Sequence, residues 1–311
     1  MQEEKNKVTT SPILTVVYNL LLTTYFLRKS KYLFPLWRRF WDIVALKKGK
    51  YVNTYIHGSR AIVPVGHWYL LVLKTYPKFN SPLKSLINYA EKFYSRDLVV
   101  VDVGSAVGDT VLLIEEISSK KNRYICIDGD IEYNTIVKEN LKHLGERFHL
   151  ISSLVSSIDE EIGIIVKDNP TTGTANSEIK ERASYLDELL KNEKNIDVIK
   201  IDIDGFDGRA ISGAREILNK FSPMVIFEWN VPLYESLNND ILEPFKVLNS
   251  SGYTKFYWFD NFGNFLLFQN SFEESVLFEM AKLSNLKFSS SGLHYDIVAV
   301  KESNDFISYI N

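Results

Sequence analysis

Within "VIKIDIDGFDGRAISGA", residues 198–214, three carboxylates follow Lys200 in quick succession: Asp202, Asp204 and Asp207. Burying one carboxylate without a partner costs several kcal/mol. A cluster at the end of an apolar run must therefore be solvated, paired or turned toward a ligand. Period-2 alternation sets Lys200, Asp202 and Asp204 on one side of a strand and Ile199, Ile201 and Ile203 on the other. Asp207 suits helix capping, and Lys200 suits pairing with a neighbouring carboxylate. Asp202 and Asp204 are left facing a crevice, where they could hold a substrate hydroxyl or the cationic end of a cofactor, bind a metal such as Mg²⁺, or take a proton as general base.

A second group sits in "VVVDVGSAVGDT", residues 99–110. Gly104 and Gly108 are four apart, so the G-x-G-x-x-G dinucleotide fingerprint does not fit and a nicotinamide oxidoreductase is disfavoured. The string reads instead as D-x-G-x-x-x-G, the strand-to-helix loop expected of class I S-adenosylmethionine enzymes. Asp102, Gly104, Ser105, Gly108 and Asp109 are its candidate cofactor residues. "CIDGDI" then places Asp128 at a strand tip, where a carboxylate can accept both hydroxyls of a ribose. Asp130 is the alternative there and also suits a helix cap. Ligands of doubly wound sheets lie outside the carboxyl ends of the strands, so these groups should converge on one crevice. Glu228, at the tip of "IFEWN", and Trp68 are candidates for substrate contact, with a rim salt bridge as the plain alternative for Glu228. His67 and His294 are secondary catalytic candidates, in segments able to close over the site.

The elements that must position these groups follow a strict rhythm. From Leu98 onward, apolar strands ("LVVVDV", "YICID", "FHLISSLV", "DVIKIDI", "MVIFEW") alternate with helical stretches starting near Asp109, Ile131, Ser184 and Arg209. Such a pattern specifies a parallel sheet covered on both faces. Residues 168–177 read as a polar connection. "YTKFYWFDNFGNFLLF" reads as a hairpin turning at Asn261 to Asn264, and "YDIVAVK" as a closing edge strand. Upstream, 51–65 reads as a hairpin turning at Gly58, followed by a helical stretch interrupted at Pro77 and Pro82. The expected fold is α/β: a Rossmann-like, doubly wound, mostly parallel sheet with an antiparallel C-terminal edge and an N-terminal helical extension. The boundaries are 1–50 for the extension, 51–97 for a hairpin and helical lid on the substrate side, 98–301 for the cofactor-binding domain and 302–311 for a tail.

At 311 residues, with 45% hydrophobic and 24% charged residues and a net charge of -3, the chain is an ordinary globular one and not a dedicated nucleic-acid binder. Its single cysteine, Cys126, sits in an apolar strand and excludes an intrachain disulfide, which fits a reducing cytoplasm. Residues 12–27 are apolar but too short to span a bilayer, and basic residues follow them instead of preceding them as in a signal peptide. Between Arg28 and Lys50 stand eight lysines and arginines against Asp42 alone. Residues 12–50 thus read as basic amphipathic helices that either contact a membrane surface or pack on the core or a second subunit.

Taken together, "VVVDVGSAVGDT", "CIDGD", "TTGTAN", "YLDELL", "VIKIDIDGFDGRAISGA" and "PMVIFEW", with "HGSRAIVPVGHW" upstream and "SGYTKFYWFDNFGNF" and "HYDIVAV" downstream, resemble the FkbM-type methyltransferases over about residues 51–300. The resemblance implies the class I methyltransferase fold, S-adenosylmethionine as cofactor, and O-methylation of a sugar hydroxyl on a glycan or polysaccharide precursor; the expected partner is such a sugar or glycan, free or lipid-linked. It matches Asp102, Gly104 and Gly108 to the cofactor loop, Asp128 to the ribose-binding acid, and Asp202 and Asp204 to the acidic motif after the fourth strand. Two positions depart from the family pattern. Ser105-Ala106 stands where Ala-Asn is common, and aspartate stands at 128 and 204 where glutamate is frequent. The rival functions are a metal-dependent nucleotide-sugar transferase, reading Asp202-x-Asp204 and Asp128-x-Asp130 as metal-binding pairs, and a non-catalytic scaffold.

Overall fold

The computed structural model describes residues 8–47, 49–167, 173–286, 293–301 and 305–310. The chain opens with α1 (Pro12–Thr23) and α2 (Leu33–Ala45), then β1 (Tyr51–Ile56), β2 (Ser59–Pro64), α3 (Tyr69–Thr75) and α4 (Ser81–Tyr94). α1 starts where Ser11 caps and Pro12 presets the first turn; the Ser11 hydroxyl accepts the Leu14 N–H at 3.4 Å. β1 and β2 pair as an antiparallel hairpin whose turn is made by His57 and Gly58, both at positive φ, as a tight two-residue turn requires.

The alternating region follows: β3 (Val99–Val103), α5 (Asp109–Ile117), β4 (Arg123–Asp128), α6 (Ile131–Leu141), β5 (Phe148–Ser152), β6 (Leu154–Val155), β7 (Glu160–Lys167), β8 (Gly173–Ser184), α7 (Leu186–Leu189), β9 (Val198–Ile201), α8 (Asp207–Ser212), α9 (Arg215–Lys220) and β10 (Met224–Trp229). The chain then runs through α10 (Val231–Ser236), α11 (Glu243–Ser250), β11 (Lys255–Asp260), β12 (Phe265–Gln269), α12 (Glu274–Asn285) and β13 (Tyr295–Val300). The main sheet has the order β12-β11-β13-β10-β9-β3-β4-β5. Its five strands from β5 to β10 are parallel, and the C-terminal strands join antiparallel, as the sequence pattern implies.

Strand alternation divides the core into two layers. Val100, Tyr124, Cys126 and Val198 point into the layer shared with α1, α2 and α4 to α6. Val101, Ile125, Ile127, Ile199 and Ile201 point into the opposite layer, under α7 to α12. Buried Trp41 anchors the N-terminal helices, with ring centroids 5.5 Å from Tyr18, 5.5 Å from Trp37 and 5.2 Å from Trp68. Each such aromatic contributes roughly 2–3 kcal/mol through the apolar area it removes from water.

Several expectations change. "YDIVAVK" is not an edge strand: β13 lies between β10 and β11, and the edge is β12. The physical reason is burial on both faces, with Ile297 and Ala299 in one layer and Val298 and Val300 in the other. The connection expected at 168–177 is in part strand. Residues 168–172 lie outside the described residues, but β7 and β8 form an antiparallel pair, and β8 also pairs with β6. The "TTGTAN" motif begins in that undescribed stretch and runs on into β8. The strand expected over 148–155 breaks into β5 and β6. The helix expected from Ser184 shrinks to α7, and β9 ends at Ile201, so Asp204 lies beyond the alternation that was to aim it.

Candidate functional site

At the carboxyl ends of β3, β4, β5 and β9 lies a cavity of about 500 Å³, the position and size typical of ligand sites in such sheets. Gly104, Ala106 and Asp109 form one part of its wall, Ile127 to Tyr133 another, and Lys200, Asp202, Ile203, Asp204 and Phe206 a third. His67, Trp68 and Tyr69 close it from the segment before and into α3.

The glycine loop does two different jobs. Gly104 has φ +84°, and a Cβ there would stand 2.0 Å from the Asp202 carbonyl oxygen, so only glycine lets the ends of β3 and β9 approach this closely. Gly108, by contrast, is not on the cavity wall. A Cβ on it would press on Val137 at 3.0 Å, so it serves the packing of α5 on α6. Ser105 is likewise buried under the loop and off the wall, and Asp102 is fully buried beneath it. Three residues expected at the ligand thus support the loop instead of lining the cavity.

Asp128 organises what the ligand meets. Its Oδ2 accepts the Ala106 N–H at 2.8 Å and its Oδ1 accepts the Asp130 N–H at 2.8 Å. A carboxylate at this strand tip is what a ribose diol needs to accept its two hydroxyls. Ala106 is held at φ +42° and Asp204 at φ +51°, left-handed conformations that side chains rarely adopt; both residues face the cavity. Asp130 lines the cavity and also caps α6, its Oδ1 accepting the Tyr133 N–H at 3.0 Å. A nucleoside end such as that of S-adenosylmethionine fits this set: an acid aimed at a diol, a close-approach glycine and room for the whole cofactor. Asp128→Asn should weaken S-adenosylmethionine binding about 10–100-fold, the loss of a charge-assisted hydrogen bond of about 1.5–3 kcal/mol. Calorimetry checks it, and an unchanged affinity would remove Asp128 from the cofactor site.

The charges around Lys200 explain the opening cluster. Asp102 and Lys200 are register neighbours on β3 and β9, and the ammonium lies 3.7 Å from Asp102 Oδ1 and 3.1 Å from Asp202 Oδ2. Burial opposes the ammonium charge, but Asp202, Asp102 and Asp109 together hold the Lys200 pKa above its ordinary range. Burial pushes Asp102 and Asp109 up to about 6, with Lys200 pulling each back. Asp207 opens α8 but does not cap it from outside. It is fully buried, its Oδ2 accepts the Gly205 N–H at 3.1 Å, and burial beside Glu228 and Asp202 raises its pKa well above the carboxylate range.

Glu228 and His294 do not line the cavity. His294 Nε2 lies 3.3 Å from Glu228 Oε2, the rim pairing that was the plain alternative for Glu228, and neither residue is on the cavity wall. The metal-pair readings find no support. Asp128 is tied to two backbone amides, Asp130 caps a helix and Asp202 pairs with Lys200. Among the described residues no group of three or more His, Cys, Asp or Glu is placed to hold a metal ion.

Sequence reading missed a hydrogen-bonded chain that begins on the cavity wall. Tyr69 lines the cavity, and its hydroxyl lies 2.6 Å from His57 Nε2 while accepting from Asn80 Nδ2 at 2.8 Å. His57 Nδ1 in turn lies 3.0 Å from Glu116 Oε2. Burial lowers the His57 pKa against the pull of Glu116, so the imidazole is neutral at pH 7 and able to accept a proton. No local signal joins residues 57, 69 and 116; only the packing of the hairpin against α3 and α5 does.

The methyltransferase FkbM domain profile matches residues 76–255, more than half of the chain. Among solved structures, the O-methyltransferase from Bacillus cereus in complex with SAH is 14% identical, covering 75% of this chain and 89% of that one with a TM-score of 0.41. Methyltransferase FkbM from Methylobacillus flagellatus KT is 15% identical over 56% of this chain and 54% of its own, with a TM-score of 0.35. Nothing further rests on likenesses this distant. No curated protein matches the sequence. The profile match takes in the ends of β3, β4, β5 and β9 that build the cavity, and the chain belongs to the FkbM methyltransferase family, enzymes that transfer a methyl group from S-adenosylmethionine.

Proposed function

We propose that the protein O-methylates a hydroxyl of a sugar, on a glycan or polysaccharide precursor. The observation that carries this reading is the composition of two parts of the cavity wall. Beyond the Asp128 cradle, the cavity presents Asp202 and Asp204 together with Trp68 and Tyr69, and carboxylates beside aromatic rings suit the hydroxyls and the apolar face of a sugar.

S-adenosylmethionine, when bound, supplies a methyl carbon already activated on its sulfonium. The residues then have to align the acceptor oxygen, exclude water and receive one proton. Asp202, oriented by Lys200, and Asp204 hold neighbouring hydroxyls of the sugar. Tyr69 receives the hydroxyl proton on its phenolic oxygen while passing its own to His57 Nε2, and Glu116 balances the imidazolium that results. A proton leaves the acceptor oxygen as the methyl group arrives, so charge and atoms balance.

The test is transfer of labelled methyl from S-adenosylmethionine to a panel of free sugars, nucleotide sugars and lipid-linked sugars. One sugar should become labelled, and Tyr69→Phe should lower its turnover about 100-fold with cofactor affinity unchanged. Label appearing only on proteins or small non-sugar acceptors would overturn the sugar assignment. Full turnover in Tyr69→Phe would overturn the relay alone.

A further inference from the structure

Helices α1 and α2 each carry two apolar faces, and among the described residues only one face of each is covered. On α1, Tyr18, Leu21 and Leu22 are buried, while Ile13, Val16 and Leu20 are 77%, 68% and 60% exposed. On α2, Trp37, Trp41 and Val44 are buried, while Leu33, Leu36, Phe40 and Ile43 are 47%, 55%, 54% and 50% exposed. Steps of three and four place each exposed set along one stripe of its helix. Phe26, Tyr32 and Leu46 extend the exposed set between and beyond the helices. Single exposed apolar residues are normal, but ten within residues 13–46 make a patch that marks an interaction surface.

Charge says what covers it. The stretch from Arg28 to Lys50 holds eight basic residues and one acid, in a chain whose net charge is -3, so everything outside it is acidic in balance. The single acid, Asp42, is already paired with Arg38 at 2.9 Å. Lys29, Lys31, Arg39, Lys47 and Lys50 are exposed among the apolar residues. A symmetric dimer through this face would set two such cationic stretches against each other. An anionic lipid surface accepts both components at once, because its acyl boundary takes the apolar stripe and its headgroups take the cations. Neither helix can cross a bilayer: α1 has 12 residues and α2 has 13, and no described helix is long and apolar enough to span one.

We propose that α1 and α2 dock the protein on an anionic lipid surface, lying in the interface with Leu36 and Phe40 inserted and Arg39 and Lys47 at headgroup level. Docking also reaches the cavity, since Trp41 packs against Trp68, which lines it. The docking proposal itself stands independently of the acceptor assigned above.

Flotation of the full chain with phosphatidylcholine vesicles, with and without phosphatidylglycerol, tests it. The expected result is flotation with the anionic vesicles, at least tenfold more than with neutral ones and weakened by salt. Two variants, Leu36→Asp with Phe40→Asp and Arg39→Glu with Lys47→Glu, should each lose at least tenfold in vesicle binding. Both should keep their melting temperature and S-adenosylmethionine affinity, because these side chains face water in the free protein. A chain that stays at the bottom of the gradient with anionic vesicles overturns the proposal. So does a dimer in sedimentation equilibrium that Leu36→Asp with Phe40→Asp dissociates while vesicle binding is untouched.

Discussion

Lys200→Met is expected to cost about 3–5 kcal/mol of stability at pH 7, because it removes the cation that Asp102, Asp109 and Asp202 share. Asp102 is fully buried and lies 3.7 Å from the ammonium, and burial already holds Asp102 and Asp109 up near 6 with Lys200 in place. The pH dependence follows from the direction of those shifts. A carboxyl raised above its unfolded value stabilises the fold while protonated, fully so below the ordinary aspartate range, and that stabilisation is lost as pH rises through about 6. Without Lys200 both carboxyls climb further, so the deficit is largest at pH 7 and shrinks toward pH 5, where they carry protons. Urea unfolding at both values measures it. Adding Asp102→Asn to Lys200→Met should restore part of the loss at pH 7, since a neutral amide no longer needs the cation. An equal deficit at pH 5 and pH 7 would mean that the side chain matters by packing and not by charge.

Gly104→Ala is expected to be severely damaging for a single added methyl group. It combines a left-handed backbone at φ +84° with a Cβ only 2.0 Å from the Asp202 carbonyl oxygen and 2.9 Å from Ile203 Cγ2. Backbone cannot swing away as a flexible side chain can, so β3 and β9 must separate at the ends that frame the cavity. The expected cost is roughly 3 kcal/mol or more, with cofactor affinity reduced beyond tenfold. Gly252→Ala is the control. It has φ +89°, but its nearest neighbours are the Lys301 side-chain carbons at 3.9 Å, so it should cost only the backbone strain of about 1–2 kcal/mol. Similar losses at both positions would show that conformation, and not the closeness of the strand ends, governs Gly104.

Much of the frame was legible because it rests on local pattern. Continuous apolar strands alternating with amphipathic helices led directly to a doubly wound parallel sheet, and Asp128 at a strand tip led to a residue that lines the cavity. Where the reading failed, contacts distant in sequence had decided. Gly104 and Gly108 look alike in the motif, yet one meets β9 and the other meets α6. "YDIVAVK" looks terminal along the chain, yet insertion between β10 and β11 is what buries both of its faces. Glu228 and His294 lie far apart in sequence, yet packing brings them within 3.3 Å of each other away from the cavity wall.

The sequence by itself determined the class of fold, the family and the crevice at the ends of β3, β4 and β9, because strand period, turn glycines and acidic strand tips act over a few residues. Only the tertiary structure decided the partners of the charges. It divided the cluster of residues 200–207 into Lys200, ringed by Asp102, Asp109 and Asp202, a buried Asp207, and Asp204 strained at the cavity. It also assembled Tyr69, His57 and Glu116 from three elements. Charge pairing depends on distances across packed elements, and no local spacing encodes those.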